Sequence, residues 1–357
     1  MNKPHHLYLL PFAAMTLASV AAHAMPVSTL NGDRPVVVAH RGASGYLAEE
    51  SVQAYQLAIK MGADYIEGDV YLTADRKAVM LHDGTLNATT NVVSYAATHP
   101  EIAALRSSNG TYDVTKFTLA QLEHLSVTCR NASGYCTDKT YFDPATSYGF
   151  TSYSAFLDLA YDHYLETGVA VGVFPEAKQT GLGVAEAILA GLNDSKYNGY
   201  FNATGRALTQ SFNAEQVSYL NANSAIPVSY LGVCPTTAAG AASVAAIADG
   251  IGPSTGQLSA ACVAAAHNAG LTVMPYTFLN NPANYGTAYN LGVDGVFTNF
   301  PDIAATVRDE VFGPATPVPE PHPLALIGLG CVGIAAFKKR KQRPSRFSKD
   351  QLPRGAA

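Results

Sequence analysis

Tryptophan is absent from this 357-residue chain, and charge is scarce: Asp, Glu, Lys and Arg together make up 14% of it, for a formal net charge of −5. Lysine and arginine cluster only near the C-terminus. Without a broad basic face the chain cannot hold a nucleic-acid backbone, so that class of partner is excluded. The cysteines lack zinc-ligand spacing with histidines, which disfavours a zinc centre. What is present is length for one large domain or two modest ones, and 48% hydrophobic residues to build a substantial core.

The two ends carry address signals. Met1, Asn2 and Lys3 precede the apolar stretch LYLLPFAAMTLASVAA and the small residues Ala22 and Ala24, the pattern of a secretory signal peptide over residues 1–24. Export is therefore expected, to the periplasm, cell surface or medium, and an oxidising compartment lets disulfides persist. Cys129 and Cys136, in a Gly/Ser-containing loop, are expected to pair; Cys234 with Cys262 is a candidate second bridge, and Cys331 lies in the tail. Residues 313–357 hold a Pro-rich spacer, about fifteen apolar residues from Pro323 to Phe337 and a basic cluster from Lys338. A stable span wants about twenty apolar residues, so this segment is marginal, and the basic residues after it stay cytoplasmic. Val318-Pro319-Glu320-Pro321, the apolar stretch and the Lys/Arg run, in that order, resemble a PEP-CTERM sorting signal. The resemblance implies transient membrane association through the tail and its removal by a sorting protease; an ordinary C-terminal anchor is the alternative.

Between residues 35 and 310, short apolar runs alternate with stretches of helical character. Nine runs read as strands: 36–40, 65–70, 78–82, 169–176, 207–211, 227–232, 246–251, 271–276 and 293–298. The alternation points to parallel β/α units, and eight of them to a closed TIM-type (β/α)8 barrel. Nine is one too many. Only Thr73 to Arg76 separates the second and third runs, too little for a crossover helix, so these two should form an antiparallel hairpin. The barrel is then assigned to residues 25–312, with Ser51 to Met61 as its first helix. Residues 84–150, rich in Asn, Thr, Tyr and Ser and weakly periodic, read as an inserted lobe over the barrel mouth, either filler or a lid over a substrate pocket.

In such a barrel, functional side chains gather at the C-terminal ends of the strands. His40 and Arg41 end strand one, Glu67 and Asp69 strand two, Glu176 strand three with Lys178 two beyond, and Gln210 and Ser211 strand four. All converge on one mouth. Glu67 and Asp69, two apart, share a face. A turn at Ala74-Asp75 pairs residues whose numbers sum to 149, which sets His82 opposite Glu67. Three carboxylates at one mouth repel unless a cation sits among them, and Mg²⁺ or Ca²⁺ suits the oxygen ligands Glu67, Asp69 and Glu176. That leaves His40 and His82 as an acid and a base near neutral pH, with Arg41 and Lys178 as fixed positive charge for a phosphate. Metal-assisted phosphoryl transfer is the expected chemistry. Singly, each residue also has a structural reading, such as Lys178 as a salt-bridge partner of Glu176; the full set is much harder to read that way.

These residues resemble the glycerophosphodiester phosphodiesterase family. The matching stretches are HRGASGYLAEES, GADYIEGDVYLTADRKAVMLHD, FPEAK, TQSF, MPYTF and LGVDGVFTNFPD, in family order over roughly residues 36–302. The resemblance implies a phosphodiesterase β/α barrel with one divalent metal, hydrolysing small-molecule glycerophosphodiesters such as glycerophosphocholine to glycerol 3-phosphate and an alcohol. It makes His40 and His82 the catalytic pair, Glu67, Asp69 and Glu176 the metal ligands, Arg41 a phosphate contact and Lys178 a charge partner. Gln210 and Tyr276 are further substrate-binding candidates. The PYT version and the long insertion are similar to the periplasmic branch, which favours Ca²⁺ over Mg²⁺. Ala48-Glu49-Glu50-Ser51 stands where the family carries Pro-Glu-Asn/His-Thr, so Glu50 brings one more negative group near the metal. Tyr276 stands where Trp is common, and both departures bear on headgroup specificity more than on catalysis. The competing expectations are a phospholipase D-like hydrolase of lysophospholipids or sphingomyelin, a surface binding barrel without turnover, and a sugar-active barrel, the last of which leaves His40, Arg41 and His82 unexplained.

Overall fold

The computed structural model describes residues 28–136, 140–143 and 145–314. The expected signal peptide at 1–24 and the sorting tail beyond residue 314, with Cys331, lie outside the described residues. Among the described residues no helix is long and apolar enough to cross a membrane.

The described residues hold eleven strands: β1 (Val36–Ala39), β2 (Tyr65–Leu72), β3 (Ala78–Met80), β4 (Ser126–Val127), β5 (Tyr148–Gly149), β6 (Gly172–Ala177), β7 (Thr209–Ser211), β8 (Val228–Leu231), β9 (Gly250–Gly252), β10 (Thr272–Val273) and β11 (Gly295–Thr298). Eight of them run parallel in the order β10-β9-β8-β7-β6-β2-β1-β11, alternating with helices, and β3 hangs off β2. The seam between the outer two is drawn together by the Asp294 and Phe297 N–H groups, which donate to the Val273 and Pro275 carbonyls at 2.8 and 3.0 Å. The result is the nearly closed TIM-type barrel the sequence predicts. Its first helix, Val52–Lys60, starts where the Ser51 hydroxyl accepts the Ala54 N–H.

One inward layer decides where the chemistry sits. Val38, Tyr65, Phe174, Met274 and Phe297 fill the barrel as a single apolar cluster. Side chains on a strand return to the same face every second residue, so the next inward positions are His40, Glu67, Glu176, Tyr276 and Asn299. The polar site therefore rests on an apolar floor, one pleat above it.

The β2–β3 hairpin is antiparallel as expected, but its register differs by one. Val70 faces Met80 and Leu72 faces Ala78, a sum of 150 rather than 149. The Thr73 N–H reaches the Lys77 carbonyl at 2.9 Å across a three-residue loop, and Arg76 closes it with a left-handed φ of 58°, as such loops require. The extra loop residue shifts every pair. His82 consequently does not lie across from Glu67; pairing ends at Met80, and His82 reaches the mouth from the segment just beyond.

The insertion is a lobe with its own core of Val79, Leu81, Leu86, Val92, Ile102, Tyr112, Val114, Phe117, Leu122 and Leu125. Its helices Val92–Ala96, Pro100–Ala103 and Leu119–Leu122 run four or five residues each. That is barely one turn, too short to print a 3.6-residue period on the sequence. Both expected disulfides are present, Cys129–Cys136 and Cys234–Cys262, with Cα separations of 5.9 and 5.4 Å.

Gly68 sits between the two carboxylates of β2, on the outer face of the barrel. A Cβ there would collide with the Tyr55 hydroxyl, the Met80 methyl and Glu50 Oε2. Gly68→Ala is expected to cost about 1–3 kcal/mol of unfolding free energy through overpacking, read from urea denaturation. An unchanged midpoint would show that β2 yields there more readily than this packing allows.

Candidate active site

The metal-ligand candidates come together. Asp69 on β2 is paired in register with Glu176 on β6, and Glu176 with Gln210 on β7, so these three stand side by side across adjacent strands. Glu67 lies one pleat below Asp69, and single oxygens of Glu67, Asp69 and Glu176 all fall within 4.8 Å of one another. All three residues are buried.

Fixed donors hold the acids in place. Glu67 accepts the Arg41 backbone N–H and the Gln210 side-chain amide, each at 2.9 Å. Arg41 takes a left-handed φ of 57°, and Gly42 after it 79°; this tight turn off β1 is what aims the Arg41 N–H at Glu67. Its guanidinium lies 3.1 Å from Asp69 Oδ2 and 3.2 Å from Glu49 Oε1. Lys178 Nζ lies 3.3 Å from Glu176 and 3.7 Å from Asp69. Gln210 Oε1 is buried with no hydrogen-bond partner.

The electrostatics follow from burial. Burial, then the neighbouring Asp69 charge, pushes the Glu67 carboxyl up to about 8. The same two causes push Glu176 well above the usual carboxylate range. Asp69 goes the other way: burial alone would raise it, but the Lys178 and Arg41 charges outweigh that and hold its carboxyl well below the ordinary value. Glu50, expected as an added charge at the mouth, is buried behind β2 with a left-handed φ of 62°. It accepts the Asp69 N–H at 3.1 Å and contacts the Tyr55 hydroxyl. Burial, then the Asp69 and Glu67 charges, pushes its carboxyl well above the usual carboxylate range, and it supports β2 from the outer face.

Both histidines line the same cleft as Glu67 and Glu176, a space of about 170 Å³ also walled by Arg41, Lys178, Gln210, Tyr135, Phe212 and Tyr276. His40 Nδ1 is 2.7 Å from Asn299 Oδ1, and the Asn299 amide donates to the Gly134 carbonyl at 2.8 Å. That second bond fixes which way the amide points, so His40 Nδ1 carries the hydrogen and Nε2 holds a lone pair. Burial, then the Arg41 charge, lowers the His40 pKa well below its ordinary 6.5. His82 Nδ1 is 2.6 Å from Asp83 Oδ1, and that hydrogen bond leads the drop of the Asp83 carboxyl to about 2. The Tyr276 ring meets Phe212 edge-on at 5.6 Å. His40, Arg41, Glu67, His82, Glu176, Lys178, Gln210 and Tyr276 thus face one cleft; Asp69 lies buried behind it against Arg41 and Lys178, and the Ser211 hydroxyl turns away to the Ala177 carbonyl and Gln216.

Four contributors escaped the sequence reading as site residues. Asn299 follows β11 as His40 follows β1, so the strand-end rule applied to the last strand would have found it. Asp83 simply follows His82. Glu49 and Arg130 carry no local signal: Arg130 forks onto Glu49 at 2.9 and 2.7 Å and reaches Asp83 at 3.0 Å, across long stretches of chain. A larger cleft of about 390 Å³, between the hairpin turn and the helix that starts at Gly183, is lined by Arg76, Thr115 and Gln179 and has neither paired acids nor imidazoles.

The chain matches the model of the glycerophosphoryl diester phosphodiesterase family over residues 40–303. It is 29% identical over 315 residues to the glycerophosphodiester phosphodiesterase of Bacillus subtilis, an overlap of 84% of this chain and 97% of the relative. The solved glycerophosphodiester phosphodiesterase of Agrobacterium tumefaciens superposes with a TM-score of 0.57 at 22% identity, over 77% of this chain and 99% of that one. An Oleispira antarctica phosphodiesterase, solved in complex with the product sn-glycerol-3-phosphate, superposes at 0.59 with 21% identity, over 79% and 100%. At such identities these structures speak for the fold. The family match spans every residue of the cleft described above, and this chain belongs to the glycerophosphoryl diester phosphodiesterase family.

Proposed function

We propose that the protein hydrolyses glycerophosphodiesters to glycerol 3-phosphate and an alcohol, with Glu67, Asp69 and Glu176 holding one divalent cation and His40 and His82 moving the protons. The observation that carries this reading is a cleft lined by two imidazoles, two cationic side chains, Glu67 and Glu176, with Asp69 buried against it so that one oxygen of each acid lies within 4.8 Å of the others. The donor set fits a hard cation: all ligands are carboxylate oxygens, and the upward push on Glu67 and Glu176 is what clustered oxygen ligands show before positive charge joins them. Ca²⁺ or Mg²⁺ suits it, with Ca²⁺ preferred on the likeness to the periplasmic branch. Bound there, it would act as a Lewis acid on a non-bridging phosphate oxygen.

The chain's own groups do the rest. Lys178 and Arg41 bring positive charge toward the phosphate while restraining the acids. His40, neutral and with Nε2 free, takes the proton from the attacking hydroxyl, either that of a water, which gives glycerol 3-phosphate directly, or that of the glycerol, which gives a cyclic phosphate that a water then opens with the two histidines exchanging roles. As the new bond to phosphorus forms, the bond from phosphorus to the alcohol oxygen breaks, and His82 supplies the proton that oxygen needs. Tyr276, Phe212 and Tyr135 wall the cleft where the organic parts of the substrate lie. The cleft's charged lining of His40, Arg41, Glu67, His82, Glu176 and Lys178 suits a polar glycerophosphodiester. The signal and tail extend the proposal to an exported protein, in the periplasm, at the surface or outside the cell, held transiently at a membrane until a sorting protease removes the tail.

His40→Ala and His82→Ala should each lower kcat on glycerophosphocholine by about 10²- to 10⁴-fold while the circular dichroism spectrum stays unchanged; near-normal turnover in either variant would remove the pair from the mechanism. Because His40 is held neutral below its ordinary 6.5, kcat/KM should fall only as pH drops through a value beneath 6.5, and an acid limb above that point would contradict its role as base. Exhaustive dialysis against EDTA should stop hydrolysis and lower the melting temperature, with both restored by Ca²⁺ or Mg²⁺. Full activity after chelation would exclude the cation. In a substrate panel, glycerophosphocholine should turn over faster than lysophosphatidylcholine, and the reverse order would favour the lipid-directed alternative.

A further inference from the structure

The inserted lobe sends one short segment into the cleft, the loop between the disulfide-bonded Cys129 and Cys136. Two contacts from this loop reach the two histidines by different routes. Arg130 Nη2 lies 3.0 Å from Asp83 Oδ2, while Asp83 Oδ1 holds His82 Nδ1 at 2.6 Å. Four residues on, the Gly134 carbonyl accepts from the Asn299 amide at 2.8 Å, and the Asn299 oxygen holds His40 Nδ1 at 2.7 Å. We infer that the Cys129–Cys136 loop sets the orientation of both imidazoles, with Arg130 as a positioning residue acting through Asp83 on His82 and Gly134 acting through Asn299 on His40. The inference rests on the assignment of the two histidines as proton carriers.

The loop is anchored well enough for this task. The Cys136 N–H donates to the Ser44 carbonyl at 3.1 Å, and the Ser44 hydroxyl donates to the His40 carbonyl at 2.7 Å, so the far end of the loop is tied to the turn that carries His40. Cys136 itself has a left-handed φ of 46°, a conformation a non-glycine residue keeps only when its surroundings enforce it. Arg130 is held at three points: both ends of its fork on Glu49 and one edge on Asp83. Tyr135 lies between Arg41 and Arg130, its ring centroid 5.8 and 5.6 Å from the two guanidinium carbons. An arginine that served only to neutralise Glu49 could sit anywhere on that carboxylate; this one is turned so that its outer nitrogen also meets Asp83. A carboxylate bonded to Nδ1 fixes the ring plane and leaves Nε2 to the reaction.

The test is a mutant cycle on the full chain with glycerophosphocholine and saturating Ca²⁺ or Mg²⁺. Arg130→Ala should lower kcat by about 10- to 100-fold with KM changed less than about threefold. In a His82→Ala background the same substitution should lower the remaining rate by less than about twofold, since there is no ring left to orient. Arg130→Lys, which keeps the charge and most of the packing but loses the fork, should behave like Arg130→Ala and guards against a variant that fails to fold. Cys129→Ser/Cys136→Ser should reduce kcat at least as far as Arg130→Ala, because it frees both arms. An equal loss from Arg130→Ala with and without His82 would overturn the inference, as would full activity of the serine pair. Failure of the underlying reading shows separately, as undiminished turnover in His82→Ala alone.

Discussion

The constraint on which this structure turns is the burial of like charge. Two unit charges 4 Å apart repel by about 4 kcal/mol at an effective dielectric of 20, and here three carboxylates meet within 4.8 Å inside a protein. Water cannot relieve them, since all are buried. The cleft answers with the Arg41 backbone N–H, the Gln210 amide, and the Arg41 and Lys178 charges. These settle Asp69 as an anion and leave Glu67 and Glu176 short of compensation. In the proposed reaction a divalent cation would complete the balance, and the ion that relieves the repulsion would be the one that binds a phosphate oxygen.

Barrel geometry turns that constraint into chemistry. Apolar side chains fill the interior up to one layer, and the next inward position on each contributing strand is polar, so residues from β1, β2, β6, β7 and β11 meet without any long-range search. The floor beneath them excludes water from below. The inserted lobe closes one wall with Tyr135, and Arg130 stands behind it on Glu49 and Asp83. Both imidazoles are bonded at Nδ1, one to an amide and one to a carboxylate, which leaves them chemically unlike, as the proposed base and acid would be.

Much of this was legible because it is local. Strand runs ending in His40-Arg41, in Glu67 with Asp69, and in Glu176 announce a barrel mouth by position alone, and the four-residue gap at Thr73–Arg76 exposes the hairpin. The register was not legible: a two-residue and a three-residue turn differ only in whether Arg76 adopts a left-handed backbone, which its residue type does not advertise. Glu50 reads in sequence as an added group at the mouth, whereas the fold places it behind β2, against Tyr55 and the Asp69 N–H. Arg130 was invisible for a different reason. Its partners Glu49 and Asp83 are joined to it only by the folding of a lobe whose helices are too short to leave a periodic trace.

The most direct test of the central claim is a crystal of the tail-less protein soaked in Mn²⁺ and measured at the manganese absorption edge. The account predicts a single strong anomalous peak touching one oxygen from each of Glu67, Asp69 and Glu176, with the His40 and His82 rings facing it across the cleft. A peak elsewhere, or carboxylates that stay apart with no metal between them, would contradict it.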